Sequence, residues 1–178
     1  KVISVLKKLI GSYRVIVPNF AKSGGTVIAL SSDKILLGVN SELGPIDPQF
    51  NGIPCEVLQS SHPDSTVRAM AQLAVERMKI LARKILENGM LRGEKESLII
   101  STLEKLSSSN SYKSHGAVID FDEAKDLGLQ VEWMEPNSQV WQKIWLLHCL
   151  YENDSKIKNI RKIIEGRKNS ISQPNKKT

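Results

Sequence analysis

Ser23 stands in Ala21-Lys-Ser-Gly-Gly-Thr26, between a short β-type run, Arg14-Val-Ile-Val-Pro18, and an apolar run of helical character, Thr26-Val-Ile-Ala-Leu-Ser-Ser32. A serine on a sharp strand-to-helix turn presents its hydroxyl, and the glycines after it let backbone approach a substrate carbonyl. The unpaired N–H groups and positive dipole end of the following helix can stabilise an oxyanion. The chemistry this spacing suits is nucleophilic acyl transfer, with Ser23 as nucleophile and Gly24 and Gly25 as candidate oxyanion donors. Ser-Gly-Gly alone also makes ordinary turns and helix caps.

A serine nucleophile needs a base. His115, in the turn Ser114-His-Gly116, is a candidate that the fold could bring to Ser23, and it reads equally as a surface or structural histidine. Asp47, set between Pro45 and Pro48, could line the site or orient a base, or simply serve the turn. Lys22 adjoins Ser23, but neighbouring side chains on extended backbone point to opposite sides, which makes it a poor base. No lysine lies between Gly44 and Arg68, and Lys79 and Lys84 fall in a long helical stretch that leaves them solvated. His62, before Pro63, reads as a loop residue, and His148, inside an apolar run, as a core residue.

Positioning such a turn requires a strand before it and a sheet beneath it. The spacing of Val2, Val5, Leu6, Leu9 and Ile10 predicts a helix ending near Gly11. Arg14–Pro18, Thr26–Ser32 and Lys34–Gly38 then read as strand, buried helix and strand, a βαβ unit that implies a parallel sheet. Asn40–Pro48 reads as a loop and Pro54–Gln59 as a short strand. A long helix follows the start signal Ser61-His-Pro-Asp64, with a stripe of Val67, Met70, Ala71, Ala74, Met78, Leu81, Ala82 and Ile85, and ends at Asn88-Gly89. Further helices are predicted over Glu94–Leu106, Asp122–Gly128 and Ser138–Tyr151, a strand over Leu129–Trp133, and a serine-rich linker over Ser107–Ser111.

The chain has 178 residues, 40% of them hydrophobic, enough for one domain with a core. Its two cysteines, Cys55 and Cys149, lie in no ligand spacing, which argues against a disulfide framework or a zinc site, and no metal or cofactor is expected. The 25 basic residues against 19 acidic ones leave a formal +6. Much of the excess follows Lys156, and without a recognition motif it reads as a solvated helix and tail, not a nucleic-acid surface. The longest strongly apolar run, Ile144–Tyr151, is far below the roughly 18 residues of a membrane span. Trp141, Ile144, Trp145, Leu146, Leu147 and Leu150 cover so much of one helix that a homo-oligomer is expected.

The run from Val15 to Gly38, followed by Ser41-Glu-Leu-Gly-Pro-Ile-Asp-Pro-Gln49, resembles the serine dehydrogenase proteinase family, relatives of signal peptide peptidase A and ClpP in the ClpP/crotonase-like superfamily. The resemblance is close over Arg14–Gln49 and continues more weakly through the long helix and through Ser114–Leu129. It implies an α/β fold with a parallel sheet and flanking helices, a serine peptidase acting on peptide or protein, Ser23 as nucleophile, Gly24 as one oxyanion donor, and Leu43–Asp47 along the cleft. In such relatives an upstream Gly-Gly loop supplies the other oxyanion donor. The sequence begins after that point and without Met, so the expectation is a domain over residues 1–153 that lacks its first strands, then a basic helix and disordered tail over 154–178. Membrane association would come only through a missing N-terminal segment. Two other readings stay open: a non-catalytic assembly module that keeps the scaffold, and a crotonase acting on acyl-CoA thioesters, against which the Ala-Lys-Ser-Gly-Gly-Thr turn argues.

Overall fold

The chain opens with helix α1 (Val2–Ile10), which ends at Gly11, a residue with φ of 75°. Strand β1 (Arg14–Val17) follows, and the Pro18-Asn19 step leads into the short strand β2 (Phe20–Ala21). Helix α2 (Gly24–Leu30) buries Thr26, Val27, Ala29 and Leu30, and strand β3 (Lys34–Leu37) returns parallel to β1 in the register Val15–Ile35 and Val17–Leu37. The predicted βαβ unit is therefore present, and its helix is apolar on several faces because it packs between sheet and helices.

Strand β4 (Glu42–Leu43) runs parallel to β2, with Phe20 opposite Glu42 and Ala21 opposite Leu43. The hairpin β5 (Gln49–Phe50) and β6 (Ile53–Pro54) precedes α3 (Cys55–Ser61). Here the structure corrects the strand expected over Pro54–Gln59. Pro54 suits the position before a helix, and Cys55 and Leu58, one turn apart, bury a single face together with Ala71 and Val75 of α4 (Ser65–Asn88), while Val57 stays exposed. Asp64 caps α4 by accepting the Thr66 N–H at 2.7 Å. The face of α4 that is buried runs through Ala71, Val75, Ala82, Ile85 and Leu86; Met70 and Leu81, expected in it, are exposed.

Helix α5 (Glu96–Ser107) packs Ile99, Leu103 and Leu106 into the main core, α6 (Phe121–Asp126) is capped by Asp120, and β7 (Val131–Trp133) adds to β3 in parallel, giving the sheet order β1-β3-β7. Leu30, Ile35, Leu37, Leu43, Ile46 and Leu86 form the fully buried centre of this unit, Lys1–Met134. Among the described residues no buried side-chain nitrogen or oxygen lacks a partner.

The second unit, Glu135–Thr178, holds α7 (Gln139–Ile157) and the antiparallel hairpin β8 (Ile160–Glu165) and β9 (Ser170–Pro174). The sequence reading had placed a break after residue 153 and a basic helix with a tail beyond it. Instead α7 stops at Ile157, Asn159 turns with φ of 51°, and the β-branched Ile160, Ile163 and Ile164 favour a strand that Gly166 and Asn169 reverse. His148, expected in a core, is half-buried and tilted against Trp145, with ring centroids 5.3 Å apart. The computed structural model describes residues 2–108, 111–112 and 114–175. Lys1, Ser109 and Asn110 of the linker, and Lys176 and Lys177 of the tail lie outside the described residues. No helix among those described is long and apolar enough to cross a membrane.

The starts of the two strands of the βαβ unit are tied by Asp33, whose carboxylate accepts from the Ser12 hydroxyl at 2.7 Å and the Tyr13 N–H at 2.9 Å. The Ser12 hydrogen bond, outweighing burial, holds the Asp33 carboxyl below its ordinary value. A depressed folded pKa stabilises the fold above the unfolded value and is lost as pH falls through the folded one. Urea melts should therefore show Asp33→Asn less stable than wild type at pH 7, with the two curves converging as the medium is acidified below the ordinary aspartate range. Parallel losses at both pH values would remove Asp33 as an acid-sensitive tie.

Candidate active site

The turn that carries Ser23 is closed by a hydrogen bond from the Gly25 N–H to the Lys22 carbonyl at 2.8 Å. Ser23 occupies its second position with φ 48° and ψ −112°, the conformation a type II′ turn demands and glycine normally supplies. A residue with a β-carbon held there is strained by about 1–3 kcal/mol and persists only because its surroundings insist on it. The Ser23 hydroxyl makes no cap bond to α2, and among the described residues no hydrogen bond holds it. The Ser23 carbonyl accepts the Val27 N–H at 3.0 Å.

Gly24 and Gly25 part company at this point. The Gly25 amide, an expected oxyanion donor, closes the turn by donating to the Lys22 carbonyl. The Gly24 amide donates to no group among the described residues, and a β-carbon at Gly24 would meet nothing within 4 Å. Open space therefore adjoins the Gly24 amide.

Asp47 and His115, 68 residues apart, form a pair. Nδ1 of His115 lies 2.7 Å from Oδ1 of Asp47, and Gln49 Nε2 donates to the other oxygen at 3.3 Å. Asp47 is 3% exposed, whereas the His115 side chain is 30% exposed. A carboxylate only accepts, so in the neutral ring Nδ1 carries the proton and Nε2 is left with its lone pair, the tautomer a general base requires. The Asp47 charge also reaches Cys55, whose thiol is pushed up first by burial and then by that charge. No hydrogen bond joins Ser23 to His115 or to Asp47 among the described residues. The structure therefore brings His115 and Asp47 together and leaves the Ser23 hydroxyl unpaired among the described residues.

Three backbone pieces converge on the Ser23 turn. The β2–β4 pair sets Ala21 beside Leu43, so that Ser23 and the Gly44–Asp47 segment leave the same, C-terminal, end of two parallel strands, where sites in such sheets form. The Thr26 hydroxyl lies 2.6 Å from the Ala21 carbonyl and 2.8 Å from the Gly44 carbonyl, pinning the start of α2 to both strands. Leu43 and Ile119 exchange backbone hydrogen bonds at 2.9 and 3.1 Å, which anchors the segment that follows His115.

Lys22 Nζ sits 3.1 Å from the Leu43 carbonyl, 2.9 Å from that of Ala117 and 2.8 Å from Glu42 Oε1, and among the described residues it makes no hydrogen bond to Ser23. These contacts, with Thr26, Gly44 and Gln49, are what the sequence reading missed. The available signal was Gly44, a glycine with no need of positive φ whose β-carbon would lie 2.4 Å from Lys22 Cδ. His62 ends α3 and accepts the Asp64 N–H through Nδ1 at 3.1 Å, while Lys84 is exposed and Lys79 half-buried on α4.

Two proteins of Methanocaldococcus jannaschii are similar to this chain. Uncharacterized protein MJ0137 is 30% identical over 149 residues, 78% of this chain and 48% of its own length. Uncharacterized protein MJ1495 is 27% identical over 146 residues, 77% of this chain and 46% of its own. The chain thus spans about half the length of the curated relatives it matches. No solved structure matches it. A family model described as ClpP-like SDH-type serine proteinase matches residues 1–176, and its fold agrees with the parallel sheet and flanking helices described above. On that match, the chain belongs to the ClpP-like SDH-type serine proteinases.

Proposed function

We propose that this protein hydrolyses peptide bonds of a peptide or protein substrate through an acyl-enzyme on Ser23. The observation that carries the reading is Ser23 itself, a non-glycine residue kept at φ 48° with a free hydroxyl beside a free Gly24 amide. Strain of this kind is kept where function needs it. In the first step Ser23 Oγ attacks the substrate carbonyl carbon while His115 Nε2 takes its proton, and the Gly24 N–H faces the developing oxyanion. The C–N bond then breaks and His115 returns the proton to the departing amine. Water repeats the sequence: His115 takes its proton, the hydroxyl bonds to the acyl carbon, and Ser23 leaves with a proton restored to Oγ. Asp47 holds His115 in the required tautomer throughout. The missing Ser23–His115 hydrogen bond forms on substrate binding, as catalytic contacts in empty sites commonly do.

The competing reading is a non-catalytic module of the same fold, and the observation on its side is that His115 makes its hydrogen bond to Asp47 and none to Ser23 among the described residues. Fluorophosphonate labelling followed by peptide mass mapping separates them. The expected result is one adduct on the peptide containing Ser23, forming faster at higher pH as general-base attack requires, and absent from Ser23→Ala. A folded protein that never labels, or an adduct that survives in Ser23→Ala, would falsify the acyl-enzyme.

A further inference from the structure

We infer that Lys22 is a positioning residue, whose ammonium holds the turn bearing His115 against the turn bearing Ser23. The inference rests on the acyl-enzyme reading for its meaning, but on its own contacts for its geometry.

An ammonium has three N–H donors. The Lys22 ammonium donates to three carbonyls, that of Ala117, two residues after His115, at 2.9 Å, that of Leu43, at the end of β4, at 3.1 Å, and that of Gly116 at 3.5 Å, and it pairs with the Glu42 carboxylate at 2.8 Å. All three donors are thus committed to carbonyls, and a lysine so bound has no lone pair to offer as a base. What the contacts do is mechanical. Among the described residues the Gly116 and Ala117 amides donate only within their own turn, to the Ser114 hydroxyl and carbonyl, between the His115–Asp47 contact on one side and the Ile119–Leu43 pair on the other. Lys22 attaches them, across 95 residues, to the residue next to the nucleophile.

The chain accommodates this cross-brace at Gly44. The Lys22 stem lies directly over that glycine, whose added β-carbon would stand 2.4 Å from Lys22 Cδ and 3.4 Å from Lys22 Cα. Gly44 has no positive φ, so alanine there strains no backbone, and the three atoms nearest its β-carbon all belong to Lys22. The Lys22 and Glu42 side chains are 22% and 28% exposed, shielded enough for the bonds to compete with water.

The experiment compares wild type, Lys22→Met and Gly44→Ala by two readouts, fluorophosphonate labelling across pH and amide exchange at Gly116 and Ala117. Misplacing a base by about 1 Å can cost on the order of a hundredfold. The expected result is a labelling rate about 100-fold lower in Lys22→Met, with the rise with pH retained because His115 remains the base, and a smaller loss in Gly44→Ala. Exchange at Gly116 and Ala117 should be about tenfold faster or more in Lys22→Met as their turn loosens. Rescue is available: Lys22→Cys in a Cys149→Ser background, alkylated with bromoethylamine, rebuilds a lysine-length ammonium and should recover most of the rate. Labelling as fast as wild type in folded Lys22→Met, loss of the pH dependence in that variant, or no rescue by the rebuilt ammonium overturns the inference. If wild type does not label at all, the acyl-enzyme reading fails while the brace is still decided by exchange, faster in Lys22→Met if it stands and unchanged if it does not. Should Lys22→Met not fold, Gly44→Ala and Glu42→Gln are read by the same criteria.

Discussion

Replacing Ser23 with glycine is expected to abolish covalent labelling and to make the protein more stable. Loss of a nucleophilic serine from a base-activated site removes about 10⁶ of the rate in serine hydrolases of known mechanism, so the adduct should fall to background. Stability moves the other way because the serine sits at φ 48° and ψ −112°, where a β-carbon costs about 1–3 kcal/mol and glycine costs little. Glycine gives back about 0.5–1 kcal/mol through its freer unfolded chain, which leaves a net gain of roughly 1 kcal/mol. In a chain of this size that is a melting temperature higher by about 2–4 °C. Ser23→Ala keeps the β-carbon and the strain, so it should lose labelling with almost no change in melting. A glycine variant no more stable than the alanine variant would show that the backbone at Ser23 stores nothing.

The second large effect is expected at the Asp47–His115 pair. Asp47→Asn preserves shape but replaces a pure acceptor with an amide whose NH₂ can face Nδ1 and leave the wrong ring nitrogen protonated. The corresponding change in a serine–histidine–aspartate triad lowers kcat by about 10⁴, and a similar fall in labelling is expected here with little loss of fold. His115→Ala removes the base and also leaves the buried Asp47 with only its 3.3 Å contact to Gln49, so it should lower stability by about 1–3 kcal/mol as well. Because the two residues act as a unit, the double variant should label no more slowly than the worse single one and should recover part of the stability that His115→Ala loses. Fully additive losses in denaturant melts and in labelling rates would mean that the 2.7 Å contact is incidental to both.

The local features of this site were legible in the residues. Arg14–Val17, Gly24–Leu30 and Lys34–Leu37 follow from β-branched runs and an apolar helix of the right lengths, and together they make a parallel βαβ unit with Ser23 just ahead of its helix. The caps at Asp64 and Ser138 were equally readable, since a side-chain oxygen before an apolar period satisfies amides only a few residues away. Periodicity was a poorer guide to where a face begins and ends. It selected Met70 and Leu81 for burial on α4 and overlooked Leu86, because the edge of a stripe is settled by the neighbour packed on it. The short run at Pro54–Gln59 and the basic stretch after Ile157 failed similarly, the first becoming a helix because α4 offers a face for Cys55 and Leu58, the second a hairpin through Asn159 and the Gly166–Asn169 turn.

What only the tertiary structure decided is which distant groups meet. His115 and Asp47 were separate possibilities in the sequence, each with an ordinary structural explanation, and nothing in either segment specifies a 2.7 Å contact across 68 residues. Lys22 could be read in the sequence only as a neighbour of Ser23, and where its ammonium went depended on β4 and the 116–117 turn arriving beside it. Gly24 and Gly25, equivalent as letters, were distinguished by a turn that consumes one amide and leaves the other free. The physical reason is common to all three: side-chain period and turn chemistry act over a few residues, whereas these pairings exist only after the core has closed the long loops between them.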